Sequence, residues 1–386
     1  MASPTLKHHP ERQVFGFLPL RIVLIIPFIL QLFGAVSLVG YFSFRSGQRS
    51  VENLISQLQD GVSDRVIDRV NGYLNSTSLI SENIERAVQN GELDVNNINR
   101  DWEQYLWRSI NLHEGIGSIY IATTDRQFRD IQPLGKDDFR LGFLLQSPNL
   151  EGGVYPEDID DQSELRKLKI DLEELEKESL SNNDIISEDG KGLDNIFFRL
   201  DQNGEPTDEV VRISPDFDPL RRPWFKAAEK AGEVIWSPIY VWHKGDNIAI
   251  DLVTPFYGSS GNLELVLGVS ISLDGISNYL SQLEVARSGE VFIIERNGKL
   301  AASSTGEKVY GLNPESQKLE QFEAVNSTDT LVQTAAKQLL QNFNGLADIP
   351  SEHRTRFIHD GETYFAQVQT YSNGPALEWL VVVVVP

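Results

Sequence analysis

The side chains best suited to gripping a small molecule crowd into residues 216–251. The run Asp216-Phe217-Asp218-Pro219-Leu220-Arg221-Arg222-Pro223-Trp224-Phe225 is followed by Trp236-Ser237-Pro238-Ile239-Tyr240-Val241-Trp242. Arg222 offers a planar guanidinium fork that matches a carboxylate. Trp224 offers an indole N–H and a broad apolar face, and Pro223 fixes the backbone between the two. Tyr240 and Trp242 are two residues apart, so on a strand they face the same side. Such a set lines a pocket that is mostly aromatic with a few polar anchors. The same residues also suit a packed core, because aromatic residues on strands are commonly interior. An arginine close to Asp216 and Asp218 can likewise serve as a structural ion pair. Composition and spacing leave both readings open.

Other chemistries find less support. There is no cysteine, which removes thiolate metal sites, iron–sulfur clusters and cysteine nucleophiles. The six histidines are scattered: His8, His9, His113, His243, His353 and His359. No G-x-S-x-G, H-E-x-x-H or P-loop pattern occurs, and no cofactor motif accompanies them. The reading is therefore non-enzymatic. A formal net charge of −22 argues against nucleic acid as a partner, since a phosphate backbone needs a basic patch.

These residues need elements to hold them. Residues 22–44 carry no charge, and as a helix they span about 34 Å, enough to cross a bilayer. The run is longer than the apolar part of a secretory signal and no A-x-A site follows, which favours an uncleaved anchor. Lys7, Arg12 and Arg21 precede the span against Arg45 and Arg49 after it, a small bias that puts the N-terminus inside. Val51, Leu54, Ile55, Leu58, Val62, Val66, Val70 and Tyr73 then repeat at helical spacing, continued by Leu79, Ile80, Ile84 and Val88 up to Asn90-Gly91. A shorter helix is expected around Trp102, Leu106 and Ile110.

Beyond that the period shortens to two. Ile116 to Ala122 reads as a strand, and Asn203-Gly204, Gly245-Asp246, Gly261-Asn262, Asn297-Gly298 and Asp360-Gly361 are hairpin turns. Val291 to Glu295, Leu300 to Ser303 and Trp379 to Val385 read as strands. The picture is α+β, antiparallel sheet with helices on it, twice over, joined near residue 284. Residues 151–190 hold 14 acidic and 4 basic residues and read as a charged helical insertion; no EF-hand loop occurs in it.

The stretch Asp218-Pro219-Leu220-Arg221-Arg222-Pro223-Trp224-Phe225-Lys226-Ala227-Ala228 resembles the signature D-P-R-x-R-P-W-Y-x-x-A of double Cache domains. These are the extracytoplasmic sensors of bacterial chemoreceptors, histidine kinases and cyclase receptors. Trp236-Ser237-Pro238-Ile239-Tyr240, Leu267-Gly268-Val269-Ser270-Ile271, Ser288-Gly289-Glu290-Val291-Phe292-Ile293-Ile294 and the ending Trp379 to Pro386 fit it too, as does an anchor followed by a long helix. The resemblance implies two PAS-like modules along that helix, with ligand in the membrane-distal one. In the amino-acid-binding branch the motif's Arg and Trp hold the ligand carboxylate, which maps onto Arg222 and Trp224. The Tyr that helps hold the ammonium is Phe225 here, the Asp of the phrase G-V-D-I is Ser270, and Phe217 stands where that branch tends to have a Tyr. A carboxylate grip without its usual amine grip implies a ligand lacking the α-amino group, or another acid in its place. Asp251 is the candidate substitute, with a strand-end acid as its plainer reading.

The expected layout is a cytoplasmic tail at 1–21, a transmembrane helix at 22–44, and stalk and N-terminal helices at 45–111. A membrane-distal ligand-binding module follows at 112–283, and a membrane-proximal module at 284–386. The expected protein is a single-pass inner-membrane receptor with its bulk in the periplasm. It takes an organic acid or amino-acid-like molecule at Arg222, Trp224, Phe225, Tyr240, Trp242, Asp251 and Ser270, and pairs as a homodimer through its stalk. A structural or protein-docking module with a vestigial pocket is the alternative, and a pocket packed solid by Phe217, Phe225 and Trp242 would favour it. Family members usually continue past the last strand into a second span and a signalling module, so a receptor fragment without output is a further alternative.

Overall fold

The computed structural model describes residues 20–113, 115–146, 193–214, 217–242, 247–286, 288–313, 319–343, 345–346, 348–349, 351–374 and 376–386. The tail at 1–19, the acidic segment at 151–190, Asp216 and the Gly245-Asp246 turn lie outside the described residues. The chain divides into two compact units, Met1–Leu58 and Gln59–Pro386. Helix α1 (Leu20–Gln89) contributes to both. In the first unit residues 24–44 are exposed along their whole length. With a mean hydropathy of 2.0, this is the one helix among the described residues long and apolar enough to cross a membrane. An exposed apolar run of this length is at home in lipid rather than water.

In the second unit α1 buries Val62, Val66, Val70 and Leu74, then Ile80 and Ile84. Steps of four residues overshoot a 3.6-residue turn, so the stripe resets through Thr77. Leu79, which the periodicity assigned to the stripe, consequently falls on the outer side and is exposed. The helix stops before Gly91, whose φ is +76°, a left-handed position that suits glycine. Helix α2 (Arg100–Asn111) starts at Asn99, whose side chain accepts the Asp101 N–H at 3.0 Å.

A nine-stranded antiparallel sheet follows: β1 (Ile116–Thr123), β2 (Phe128–Gly135), β3 (Asp138–Gln146), β4 (Leu193–Leu200), β5 (Pro206–Ser214), β6 (Ile235–Trp236), β7 (Tyr240–Val241), β8 (Ile248–Tyr257) and β9 (Leu263–Ser272). Their order is β5-β4-β3-β2-β1-β9-β8-β6, with β7 also paired to β8. The hairpins β4–β5 and β8–β9 turn at Asn203-Gly204 and Gly261-Asn262 as expected.

Alternation divides this sheet into two faces. One face carries Ile119, Ile121, Ile131, Ile196, Phe198, Leu267 and Val269 against Ile84 of α1 and Trp102, Leu106 and Ile110 of α2. The other carries Tyr120, Phe128 and Val266, covered by helix α3 (Pro223–Ala231) through Trp224, Phe225 and Ala228.

Helix α4 (Leu273–Ser281) leads to strands β10 (Glu290–Glu295), β11 (Leu300–Ser303), β12 (Tyr310–Leu312) and β13 (Leu319–Gln321). Helix α5 (Thr330–Asn342) and strands β14 (Glu352–His359), β15 (Glu362–Ser372) and β16 (Glu378–Val385) complete the chain. A five-stranded sheet runs β11-β10-β16-β15-β14, while β12 and β13 form a separate ribbon. Helix α1 is fastened to both large sheets. Gln59 donates to the Phe365 and Val383 carbonyls at 2.9 and 3.2 Å. Asn71 accepts the Tyr371 hydroxyl at 2.7 Å, and Ser81 bonds Thr254 at 2.6 Å.

Trp102 is fully buried and its indole N–H donates to the Asp94 carbonyl at 2.9 Å. Trp102→Ala should therefore cost about 3–5 kcal/mol, read as a fall in the denaturant midpoint of the full chain. Leu112→Ala, at a side chain 79% exposed, should leave the midpoint in place; equal losses would mean that the α2 core is wrongly located.

Candidate functional site

Arg222 sits at a joint set by two prolines. Asp218 caps a short 3-10 turn, Pro219–Arg221, by accepting the Leu220 N–H at 3.0 Å. Pro223 then opens α3, a position where its missing N–H costs nothing. A residue before proline is driven to extended backbone, and Arg222 is at φ −71°, ψ 148°. The acid next to it is already taken: Asp218 pairs with Arg126 at 3.3 Å and with Arg221 at 3.9 Å. Arg222 has no ion pair among the described residues. It donates one long bond, 3.4 Å, to the Val241 carbonyl. Its guanidinium lies 5.9 Å from the Phe217 ring and 5.5 Å from the Tyr240 ring.

These groups border a cavity of about 50 Å³ on the face of the sheet that α3 covers. Arg222, Trp224, Tyr240 and Trp242 line it, as does Phe217. The Trp224 ring packs 4.5 Å from Tyr120 and 6.3 Å from Phe128. Tyr120 reaches this place because its cross-strand partner is Gly268, where a Cβ would fall 2.1 Å from the tyrosine ring.

Three expected residues are not on the cavity wall. Phe225 is buried behind Trp224, at 5.7 Å between rings. Asp251 is fully buried one layer deeper, where its Oδ2 accepts the Tyr240 hydroxyl at 2.6 Å and the Tyr120 hydroxyl at 2.8 Å. Ser270 is its cross-strand partner, also fully buried. Asp251 Oδ1 and Ser270 Oγ make no hydrogen bond among the described residues. Burial pushes the Asp251 carboxyl up, with the nearby Ser270 hydroxyl, the two tyrosine hydroxyls and the Arg222 charge pulling it back. Burial, together with Asp251, pushes both tyrosines well above their usual range. Asp251 thus holds Tyr120 and Tyr240 in place on the wall from beneath it.

The polar part of the wall escaped the sequence reading. It consists of Ser118, Asp130, Gln132, Asn195, Arg212 and Ser214. Asp130 accepts from the Ser118 hydroxyl and from Gln132 Nε2, the latter at 2.6 Å. Arg140 in turn holds Gln132 Oε1 at 2.9 and 2.5 Å. Asn195 is buried and its Oδ1 makes no hydrogen bond among the described residues. The signal was available as alternation: Ser118 with Tyr120, Phe128 with Asp130 and Gln132, Asn195 with Phe197, and Arg212 with Ser214 each lie two apart on one strand.

The Cache domain family model matches residues 45–386. The methyl-accepting chemotaxis protein McpA of Pseudomonas putida is 27% identical over 117 residues, 30% of this chain and 18% of McpA. Adenylate cyclase 1 of Rhizobium meliloti is 25% identical over 166 residues, 40% of this chain and 24% of the cyclase. The chain spans about a fifth of the length of these curated relatives. Among solved structures, the periplasmic sensory domain of the Campylobacter jejuni chemoreceptor Tlp1 aligns with a TM-score of 0.50 at 11% identity. That alignment covers 87% of this chain and 96% of Tlp1's. It is a likeness of fold.

Burial pushes the Asp130 carboxyl from 3.8 up to about 6, with the Ser118 and Gln132 hydrogen bonds and the Arg140 and Arg212 charges offsetting part of the cost. The folded chain then binds this proton more tightly than the unfolded chain. The group's contribution to stability is therefore full below the unfolded value and is lost as pH rises through about 6, a change of about 3 kcal/mol at most. Asp130→Asn should gain stability over wild type progressively between about pH 4 and 7, measured as the difference in melting temperature. A difference flat with pH would contradict the assignment.

Proposed function

Because the chain belongs to the Cache domain family over residues 45–386, we propose that it is the extracytoplasmic sensory part of a membrane signal-transduction receptor. In this reading it binds a small carboxylate-bearing molecule at Arg222. The observation that carries the proposal is the uncommitted guanidinium on the wall of an aromatic cavity, beside an acid that two other arginines already occupy. A carboxylate would take the fork of Arg222 and the indole N–H of Trp224. That N–H makes no hydrogen bond to the described residues. The acid on the wall for the rest of the ligand is Asp130, with the Oδ1 of Asn195, unpartnered among the described residues, on the same wall, while Asp251 lies one layer deeper on its two tyrosines.

A cavity of about 50 Å³ accommodates a carboxylate group and little more. Binding of anything larger moves the wall, and a ligand with differential affinity for the expanded form shifts the population toward it. That is the physical content of sensing, and it needs no chemical step. The chain is read as non-enzymatic, anchored in the inner membrane by residues 22–44, periplasmic beyond them, and paired with a second copy through the stalk. Residues 112–283 form its membrane-distal ligand module and residues 284–386 its proximal one. The alternative of a vestigial pocket called for Phe217, Phe225 and Trp242 to fill the space. Phe217 and Trp242 instead border an open cavity, and Phe225 lies behind it.

The test is a melting-shift screen of the full chain in lipid nanodiscs against organic acids and amino acids. A carboxylate that raises the melting temperature of wild type should lose its effect in Arg222→Ala, with affinity down about a hundredfold or more for a truncated charge pair. Arg222→Lys should retain part of it. An undiminished shift in Arg222→Ala would sink the assigned pocket.

A further inference from the structure

A second and larger cavity, of about 480 Å³, lies where α1, the first three strands and α4 meet. It shares Gln132 and Trp242 with the inner cavity but is otherwise differently built. Tyr73 brings α1 to its wall, because residue 115 is a glycine in the left-handed region: a Cβ there would fall 2.2 Å from the Tyr73 ring. Asn247 is held with Oδ1 on the Ser272 hydroxyl and the Ile248 N–H, each at 2.8 Å, so its amide N–H₂ is left over. Asp274 and Asn278 come from the first two turns of α4, and their side chains make no hydrogen bond or ion pair to the described residues; the Asn278 carbonyl accepts the Ser281 hydroxyl at 2.9 Å. Asp274 is half-buried, and that burial pushes its carboxyl up, with the Lys308 charge offsetting part of it. Arg140 is committed: two of its nitrogens hold Gln132 and its guanidinium lies 4.7 Å from the Phe197 ring.

We propose that this cavity is a second ligand site, separate from the one at Arg222, and that it takes a neutral polyhydroxylated molecule of one or two sugar rings. Its charge balance is the first reason. Asp274 has Lys308 to offset its charge, and Arg140 and Arg69 are held on Gln132, Phe197 and Tyr73, so the site does not present a free guanidinium to an anion as Arg222 does. The second reason is the mix of uncommitted groups. Asp274 only accepts, Asn247 offers donors, and Asn278 and Tyr73 do both. A sugar hydroxyl donates and accepts at once, so a run of them on a ring satisfies such a set without adding charge. The third reason is shape. Trp242 offers a flat apolar face of the kind that covers the C–H face of a ring, Tyr73 has one face covered by the Arg69 guanidinium at 4.8 Å, and the volume is that of an ordinary small-molecule site. An occupant would touch α1 directly and would share Trp242 with the inner ligand, so the two sites would influence each other's affinity reciprocally.

The experiment uses the full chain in lipid nanodiscs, which carry no sugar headgroup, and saturation-transfer NMR against a panel of neutral mono- and disaccharides. At least one should bind. Asp274→Ala and Asn278→Ala should each weaken it about tenfold or more, as expected for loss of a charge-assisted or paired hydrogen bond. Arg222→Ala should leave it intact, which separates this site from the carboxylate pocket. Both α4 side chains are at least partly exposed, and an unchanged melting temperature would certify folding. No saccharide bound at millimolar concentration, or binding that neither α4 variant weakens, overturns the proposal. With simple primary amines run beside the panel, binding confined to the amines and lost with Asp274→Ala overturns the ligand class.

Discussion

A β-strand sends successive side chains to opposite faces, and in β1 that rule separates a dry core from a polar chamber within one residue. Ile119 and Ile121 enter the helix-covered core, while Ser118 and Tyr120 face the cavity. The same division runs through β2, where Ile131 lies between Asp130 and Gln132, and through β4, where Ile196 lies between Asn195 and Phe197. A slip of one residue in any of these pairings would put a carboxylate or an amide into the aliphatic core and an isoleucine into the chamber. Unpaired burial of that kind costs several kcal/mol per group. The register is therefore pinned from both sides at once, and the chamber's polarity is a consequence of the same pattern that builds the core.

Within the chamber, charge is sorted by what is already paired. Asp218 and Asp251 look equivalent as acids near an arginine, yet each is spent before a ligand arrives. The first holds a capping N–H and two guanidinium groups, and the second holds two phenol hydroxyls. Neither lies on the wall, where Arg222, extended by the proline that follows it, stands with Asp130 and Arg212. Leaving a guanidinium uncommitted in a half-buried place costs stability, and a site that keeps such a cost is the kind in which binding recovers it.

Much of this was legible in order along the chain. The hairpins at Asn203-Gly204, Gly261-Asn262, Asn297-Gly298 and Asp360-Gly361 fall where the turn pairs put them, because those signals depend on local backbone preference alone. Arg222, Trp224 and Tyr240 stand out by residue type, and the fold brings them to one cavity wall. The role of Asp251 was not, because it is decided by Tyr120, 131 residues away in sequence, and no local pattern states which strand lies beside which. Asp130 and Asn195 were missed for a related reason. Each is an ordinary polar residue on its own strand, and only the order β5-β4-β3-β2-β1-β9-β8 gathers them onto one wall. Leu79 marks the limit of periodicity itself: its place in the run was right to within one residue, and one residue on a helix is a quarter turn or more.

Strand β8 then connects the chamber to α1 by the same alternation. Asp251 points inward and sets Tyr120 and Tyr240, while Thr254, three residues on, points to the other face and bonds Ser81 of α1. A shift of β8 must either break that bond or carry this part of α1 with it. Further toward Gln59 the helix is held by Tyr371 on Asn71 and by the two carbonyls that Gln59 grips on β15 and β16. Those carbonyls belong to a sheet whose own pairing does not involve β8. Helix α1 is thus gripped by two sheets that share no strand, and any displacement of one relative to the other is imposed on the segment between Asn71 and Ser81. Tyr73, on the wall of the larger cavity, lies inside that segment. The place where the two sheets' demands on the helix meet is also a place where a bound molecule would touch it.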